Sequence, residues 1–121
     1  PIFEVSSKAE GRASGIKALQ EYLDNQARVL EPRNSQGLFR MSIDRAFTLK
    51  GIGLLVTGTV AAGTVKVGDS LRLLATSGAS STVRVRSLNA NNQVAEEGMA
   101  GQRCSFNLVG DFDKQSVERG D

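Results

Sequence analysis

One segment reads Phe39-Arg-Met-Ser-Ile-Asp-Arg-Ala-Phe47 and continues through Thr48-Leu49-Lys50 into Gly51-Ile-Gly-Leu-Leu-Val-Thr-Gly-Thr-Val60. Apolar and polar residues alternate in its first part, and glycines recur in its second part. Such alternation is typical of a β-strand with one buried face, and the glycines mark positions where a strand bends or another backbone approaches closely. The segment therefore predicts β-structure in the middle of the chain.

The same alternation continues towards the end of the chain. Val83 and Val85, for example, alternate with Arg84 and Arg86, so that the strand has one apolar and one polar face. Turn residues separate these short runs at the spacing expected of an antiparallel sandwich or barrel. We predict that residues 38–121 are mainly β and form an antiparallel β-barrel, whose closure would remove exposed edges.

The first part of the chain has a different pattern. Ile2–Val5 is a short β-prone run followed by small, polar loop residues, and Ile16, Leu19 and Leu23 then recur at helical spacing. We expect a short strand, a loop and a helix that fades by Ala27.

A change of composition separates the two parts. Pro32 and Gly37 lie in a segment rich in turn residues, which breaks any helical or strand period. We therefore predict a linker at 28–37 between an N-terminal unit, 1–27, and the β-domain, 38–121.

Charge and hydropathy argue against two broad classes of protein. The chain carries 15 Lys and Arg against 13 Asp and Glu, and the resulting net charge of +2 is far below that of a protein that binds a polyanion unaided. No apolar run approaches the ~20 residues that a membrane span requires, and the first residues lack the layout of a signal peptide. We expect a cytoplasmic protein with no membrane partner.

Few residue types are available for catalysis. The chain has no histidine and one cysteine, Cys104, which excludes an internal disulfide and any enzyme that needs a histidine base or ligand. We expect no metal site. Cys104 alternates in step with Phe106 and Leu108, which predicts that these three residues face the core. The intervening residues, which should face outward, are Arg103, Ser105 and Asn107.

Arg45 departs from the alternation. The apolar positions of its strand are Phe39, Met41, Ile43 and Phe47, and strict alternation would place Arg45 among them. Because an unpaired guanidinium is costly to bury, we predict a β-bulge near Asp44, or a position at the barrel mouth, that turns Arg45 outward. Arg45 would then serve either in a functional site or in a salt bridge with Asp44 or another acid.

Several short motifs follow one another in the order and spacing of a known family. They are Ile43-Asp-Arg-Ala-Phe47, Gly51-Ile-Gly53, Val56-Thr-Gly58, Gly63-Thr-Val-Lys-Val-Gly-Asp69, Ala100-Gly-Gln-Arg103 and Val117-Glu-Arg-Gly-Asp121. This set resembles the second-domain β-barrel of translational GTPases such as elongation factor Tu. At Asp44, Arg45 and Arg103 the chain is most similar to the selenocysteine-specific elongation factors. The resemblance implies a barrel that is cut before its last strand.

The front of the chain resembles the end of a GTPase domain. Val5-Ser-Ser-Lys8 is similar to the fifth guanine motif, and Gly15–Leu19 is similar to the start of the terminal helix. The first similarity implies a nucleotide-binding remnant at Ser6, Ser7 and Lys8. The phosphate loop, the switch regions and the Asn-Lys-x-Asp motif are missing from the sequence. The resemblance therefore implies GTP and magnesium in the full-length protein, but no cofactor and no enzymatic activity for this piece.

For function, the resemblance implies recognition of the charged end of a tRNA. Asp44, Arg45 and Arg103 would line the pocket for the amino acid. Thr57 would border this pocket, and Asn89 would lie against the terminal adenine. Because arginine stays protonated up to pH ~12 and presents several fixed donors, two arginines favour an ionised selenolate over a neutral serine hydroxyl.

The implied partners are selenocysteinyl-tRNA, the ribosome and, through a missing C-terminal region, the messenger-RNA selenocysteine insertion element. Two alternatives stay open. The barrel could belong to another translational GTPase, either a Tu-like elongation factor or an initiation factor, or it could be a non-catalytic interaction domain. Competition between selenocysteinyl-tRNA and seryl-tRNA tests the first alternative, and a complete lack of tRNA protection in footprinting would indicate the second.

Overall fold

The computed structural model describes residues 1–5 and 13–121 of the 121-residue chain. These residues form two compact units, Pro1–Pro32 and Arg33–Asp121. The division falls inside the segment 28–37, for which the sequence predicts a linker.

The N-terminal unit is built on helix α1, Ala13–Val29. The helix extends two residues beyond Ala27, where it was predicted to fade, and so enters the predicted linker. Its last turn is closed by a hydrogen bond of 3.1 Å from the Leu30 backbone N–H to the Gln26 carbonyl. Pro32 comes two residues after Leu30, and a proline disfavours helical backbone in the residue before it, here Glu31.

One side of α1 is partly covered within its own unit. Leu19 and Tyr22 are half-buried, and the Tyr22 ring centroid lies 5.2 Å from that of Phe3. Ile16 and Leu23 are 45% and 55% exposed, so the predicted apolar stripe is only partly buried. In the described ranges, no helix has the length and the apolar character needed to cross a membrane.

The predicted strand at Ile2–Val5 is not formed. This segment pairs with no strand of the described chain and packs on α1 instead, where a Cβ added at Gly15 would overlap the Glu4 carbonyl oxygen. A strand requires a neighbouring strand to satisfy its backbone N–H and C=O groups. The β-prone composition of the segment is therefore not sufficient to make it a strand.

The second unit is a curled antiparallel sheet with the shape of a half-barrel. Its strands are β1 (Arg40–Leu49), β2 (Gly53–Ala62), β3 (Thr64–Lys66), β4 (Ser70–Leu74), β5 (Ser80–Ala90), β6 (Gln93–Ala95), β7 (Glu97–Met99) and β8 (Arg103–Val109). The main sheet has the order β1-β2-β8-β5-β4, with β6 paired to the end of β5, while β3 and β7 form a separate ribbon. A single 3₁₀ turn, Lys114–Ser116, is described after β8. The predicted mainly-β, antiparallel architecture is confirmed.

The core lies on the inner face of the sheet. Its largest fully buried side chains are Phe106, Leu54, Val56, Val60, Val65, Val85 and Cys104. The rings of Phe39 and Phe106 meet edge to face at 5.9 Å. Cys104 is a core residue, as predicted, and burial raises the pKa of its thiol.

The half-barrel is open along one side, because β1 and β4 are the edges of the main sheet. A groove of about 1110 Å³ lies there, lined in part by Met41 and Leu71. The predicted closure of the barrel is therefore incomplete in the described residues. At the free edge of β1, Gly120 N–H donates to the Ile43 carbonyl and Ile43 N–H donates to the Asp121 carbonyl, both at 2.8 Å. Full closure would need a longer strand between the two edges than this dipeptide provides.

Candidate functional site

A β-bulge in β1 places the acidic residue of the site. Ile43 pairs with Gly58 and Arg45 pairs with Thr57, so that Asp44 is an extra residue without a partner on β2. This bulge confirms the prediction made from the inward parity of Arg45, which is exposed in the structure. One inserted residue thus turns a guanidinium from the core to the outer face.

The bulge also reverses the parity of the residues that follow it. Ala46 packs against the core, whereas Phe47 is 44% exposed. The prediction that Phe47 faces inward is therefore wrong. It assumed strict alternation, but an inserted residue moves every later side chain to the opposite face.

Three polar side chains from three adjacent strands meet on the outer face. They are Asp44 on β1, Thr57 on β2 and Arg103 on β8, here called the Asp44 cluster. Arg103 Nη1 donates to Asp44 Oδ2, and Arg103 Nη2 donates to Asp44 Oδ1 at 3.0 Å. Thr57 Oγ1 donates to Asp44 Oδ1 at 2.8 Å and accepts a weak contact from Arg103 Nη2 at 3.4 Å. A bidentate contact of this kind fixes the plane of the guanidinium.

The charges in the cluster are mutually stabilised. The hydrogen bonds from Arg103, and next those from Thr57, lower the pKa of Asp44 from 3.8 to about 2, and the positive charge of Arg45 contributes least. The same contact raises the pKa of Arg103. The side chains of Asp44 and Arg103 are 38% and 49% exposed, so solvent screens their attraction. Asp44 is therefore ionised at neutral pH and accessible to a ligand.

Arg45 lies beside the cluster without joining it. It is opposite Thr57 in the β1–β2 ladder, yet among the described residues it forms no ion pair and no side-chain hydrogen bond. The salt bridge considered for Arg45 with Asp44 is thus taken by Arg103. Together, the three charged residues Asp44, Arg45 and Arg103 leave one net positive charge on this part of the surface.

A cavity of about 340 Å³ adjoins the cluster. Its lining residues are Thr57, Asn89, Asn92, Arg103, Cys104 and Ser105. The cavity brings together three of the predicted site residues, Thr57, Asn89 and Arg103. Asp44 contacts it only through Thr57 and Arg103, and Arg45 does not line it. Its volume is at the small end of the range of ~300 to 1,000 Å³ that is typical of ligand pockets.

The sequence analysis did not identify Asn91, Asn92 or Ser105 as site residues. Asn91 and Asn92 have φ values of 50° and 65° and form the turn between β5 and β6. Asn91 N–H donates to the Arg103 carbonyl at 2.8 Å, and Asn91 Oδ1 accepts a longer contact from Arg103 N–H at 3.3 Å. The signal was present, because asparagine is enriched in hairpin turns that require positive φ.

One further prediction is met only in part, and another stays untested. Asn107 was expected to face outward with Arg103, but it is only 6% exposed, and its Nδ2 donates to the Ile52 carbonyl at 3.1 Å. The turn between β1 and β2 packs over this end of β8, so that its outer face is locally buried. The predicted nucleotide-binding remnant, Ser6, Ser7 and Lys8, lies outside the described residues.

Comparison with known proteins finds a matching protein family. Residues 53–121 match the family model of elongation factor Tu domain 2. The selenocysteine-specific elongation factor of Escherichia coli is 48% identical over 118 residues, which are 97% of this chain and 18% of that protein. The factor of the same name from Haemophilus influenzae is 42% identical over 107 residues, covering 88% of this chain and 16% of that protein.

Solved structures agree with the sequence comparison. Translation elongation factor SelB from Methanococcus maripaludis, in its apo form, superposes with a TM-score of 0.75 at 34% identity, covering 88% of this chain and 22% of that one. The same factor in complex with the GTP analogue GppNHp gives a TM-score of 0.76 at 34% identity, with coverages of 88% and 23%. The chain therefore spans less than a quarter of the length of these relatives.

Proposed function

Because the chain belongs to the family of elongation factor Tu domain 2, we propose that it is the tRNA-binding barrel of a selenocysteine-specific elongation factor. The full-length protein binds GTP with magnesium and delivers selenocysteinyl-tRNA to the ribosome in the cytoplasm. A region outside this chain recognises the messenger-RNA selenocysteine insertion element. The barrel contributes recognition of the charged tRNA end and no catalytic group.

The observation that supports this proposal is that two arginines on one surface differ in their ionic partners. Arg103 is held in a fixed plane by both oxygens of Asp44, whereas Arg45 has no ionic partner among the described residues. A selenol is more acidic than a thiol or a hydroxyl, so the cognate side chain arrives as an anion at neutral pH. It gains a charge-assisted contact with Arg45 and with the outward edge of Arg103.

Asp44 contributes to specificity as well as to geometry. Its carboxylate orients Arg103 and reduces the net positive charge of the site. Anions whose geometry does not fit the oriented guanidinium are therefore bound less strongly. A seryl side chain stays neutral and leaves the arginines without an anionic ligand. This makes the binding of seryl-tRNA less favourable and so contributes to the discrimination. A difference of ~2 to 3 kcal/mol between the two ligands gives roughly a hundredfold preference.

The neighbouring cavity suits the terminal nucleoside. Asn89 and Ser105 are paired across β5 and β8 and line the cavity together with Thr57. An asparagine amide can both donate to and accept from the edge of adenine. In this arrangement the adenosine lies against Asn89, and its aminoacyl group extends towards the Asp44 cluster.

The test is competition between selenocysteinyl-tRNA and seryl-tRNA for the protein at its natural length, loaded with GTP. The double variant Arg45→Ala/Arg103→Ala should lose the preference of roughly a hundredfold almost completely, because both cations that contact the selenolate are gone. The matched control Arg40→Ala/Arg119→Ala removes the same charge from exposed positions elsewhere on the barrel and should retain the preference. Undiminished discrimination in the first variant would refute the proposal, and equal binding of the two tRNAs by the unmodified protein would favour a Tu-like factor.

A further inference from the structure

A second group of arginines lies on the outer face of the sheet, away from the Asp44 cluster. Arg72 is on β4, Arg84 and Arg86 are on β5, and all three side chains are exposed. Arg72 pairs with Thr82, two residues before Arg84, so that Arg72 and Arg84 are diagonal neighbours on one face. Side chains in this relation are within ~7 to 8 Å at their Cα atoms, and long side chains there can share one ligand.

Arg86 lies on the same outward face as Arg84, by simple alternation with Val83 and Val85, and a second bulge begins at this residue. Val85 pairs with Leu108 and Ser87 pairs with Asn107, so that Arg86 has no partner on β8. As at Asp44 and Arg45 on β1, the bulge leaves two consecutive residues on the outer face, here Arg86 and Ser87, and Leu88 returns to the core. Bulges of this kind re-aim a side chain at the cost of a ladder contact.

These three residues are here called the arginine stripe, and none of them is neutralised by an ion pair within the described residues. Neither β4 nor β5 contains an acidic residue, and none of the ion pairs in the described part of the chain involves the stripe. The acid that directly precedes β4, Asp69, uses its Oδ2 to accept from the Lys66 backbone N–H at 2.8 Å. Like charges placed close together on one face repel one another, so a bound anion would stabilise this arrangement.

We propose that the arginine stripe binds the phosphates of an RNA backbone, independently of its sequence. The guanidinium fork matches phosphate geometry better than an ammonium group does, and the stripe consists of arginines alone. The choice of RNA as the anion rests on the proposed function. The phosphate contacts go beyond it, because they add affinity without reading the amino acid.

The sheet topology connects the stripe to the candidate site. Arg84 pairs with Val109, and Arg103 is at the opposite end of the seven-residue strand β8. At ~3.3 Å per residue the two arginines are about 20 Å apart along the strand. The outward residues in between on β5 include Ser87 and Asn89, which are exposed and uncharged. Neither β5 nor β8 carries an acidic residue between the two surfaces, so a single RNA molecule can contact both along these strands.

The experiment neutralises the stripe in the protein at its natural length with Arg72→Gln/Arg84→Gln/Arg86→Gln. Affinity is measured for selenocysteinyl-tRNA in one arm and for ribosomes in the other, between 0.05 and 0.2 M salt. Each phosphate contact contributes ~0.7 to 0.9 to the slope of log K against log salt. The slope should therefore become shallower by about 2 in the assay that contains the RNA bound by the stripe, either tRNA or ribosome. A slope change of about 2 over this fourfold range of salt alters the affinity ratio about 16-fold, so a deficit of roughly a hundredfold at the low end should shrink to about sixfold at the high end.

Two controls separate charge from other effects. The variant Arg40→Gln/Lys114→Gln/Arg119→Gln removes three exposed cations elsewhere on the barrel and should leave both slopes unchanged. The variant Arg72→Lys/Arg84→Lys/Arg86→Lys keeps the charge, so that the slope should be retained while affinity falls modestly through the loss of the fork.

Each outcome is decisive for the stripe. A shallower slope in the tRNA arm or in the ribosome arm supports the proposal and identifies the source of the phosphates. Unchanged slopes in both arms overturn it, including the case in which the glutamine variant only lowers the melting temperature, which would indicate a structural role for the stripe. The preference for selenocysteinyl-tRNA over seryl-tRNA should be unchanged in the glutamine variant, so that failure here is distinguishable from failure of the proposed amino-acid recognition.

Discussion

The two faces of β8 differ in what they require of their residues. On the inner face, Cys104 and Phe106 are buried among aliphatic side chains, where volume and apolarity are the main requirements. On the outer face, Arg103 is positioned by the carboxylate of Asp44 and by hydrogen bonds with the side chain and the backbone of Asn91, and we expect charge and geometry to be the main requirements. We therefore expect stability and the proposed ligand discrimination to depend on opposite sides of one strand and to respond to different substitutions.

The largest effect is expected on the inner face. Phe106→Ala should lower the free energy of unfolding by ~3 to 5 kcal/mol, because the substitution leaves a cavity in a fully buried position. Urea denaturation measures this loss. Phe47→Ala, at a half-exposed phenylalanine on the outer face, is the matched control and should cost much less. At a temperature where the Phe106 variant is folded, its preference between the two aminoacyl-tRNAs should equal that of the unmodified protein. A lower preference would show that the inner face also contributes to discrimination.

The next effect belongs to the outer face. Arg103→Lys keeps the charge but loses the fork that contacts both oxygens of Asp44. We expect the preference for selenocysteinyl-tRNA to fall about tenfold, or ~1.4 kcal/mol. The free energy of unfolding should change little, because the pair is partly exposed. Arg119→Lys is the matched control in the same competition assay. An unchanged preference in the Arg103 variant would mean that the fixed guanidinium plane is not used.

The pH dependence of Asp44 tests the contact more locally. A carboxyl titration followed by NMR should give a pKa of about 2 for Asp44, rising towards 3.8 in Arg103→Ala. Since the folded pKa is depressed, the stability that this contact adds is fully present above the unfolded pKa of ~3.9 and is lost as pH falls through the interval down to about 2. In Arg40→Ala the titration of Asp44 should be unaltered. A normal pKa in the unmodified chain would show that the ion pair does not persist in solution.

The smallest effect concerns the hairpin turn behind Arg103. Asn91→Gly keeps the positive φ but removes the acceptor for Arg103 N–H, and it should reduce the preference by a few-fold, or ~0.5 to 1 kcal/mol. Asn91→Asp retains an acceptor oxygen and should restore most of the preference. If the glycine and aspartate variants behave alike in the competition assay, Asn91 contributes only through its backbone.

Much of the fold was accessible from local patterns. The alternation around Val83 and the glycines between Gly51 and Gly58 predicted an antiparallel β-structure, and the inward parity of Arg45 predicted the bulge at Asp44. Each of these is a short-range signal, because the side-chain period of a strand is two residues and an exception to it is visible within a few positions. The helical spacing of Ile16 and Leu19 likewise predicted α1, although not its last two residues.

The sequence by itself determined which residues could face the core, where the alternation had to break and which charges were available for a site. Only the tertiary structure decided that Arg103, 59 residues from Asp44, and not the adjacent Arg45, takes the carboxylate. It also decided that Asn107 is buried and that β1 and β4 stay apart. The physical reason is that pairing between distant strands is set by the register of the whole sheet, and each bulge changes that register for every residue beyond it.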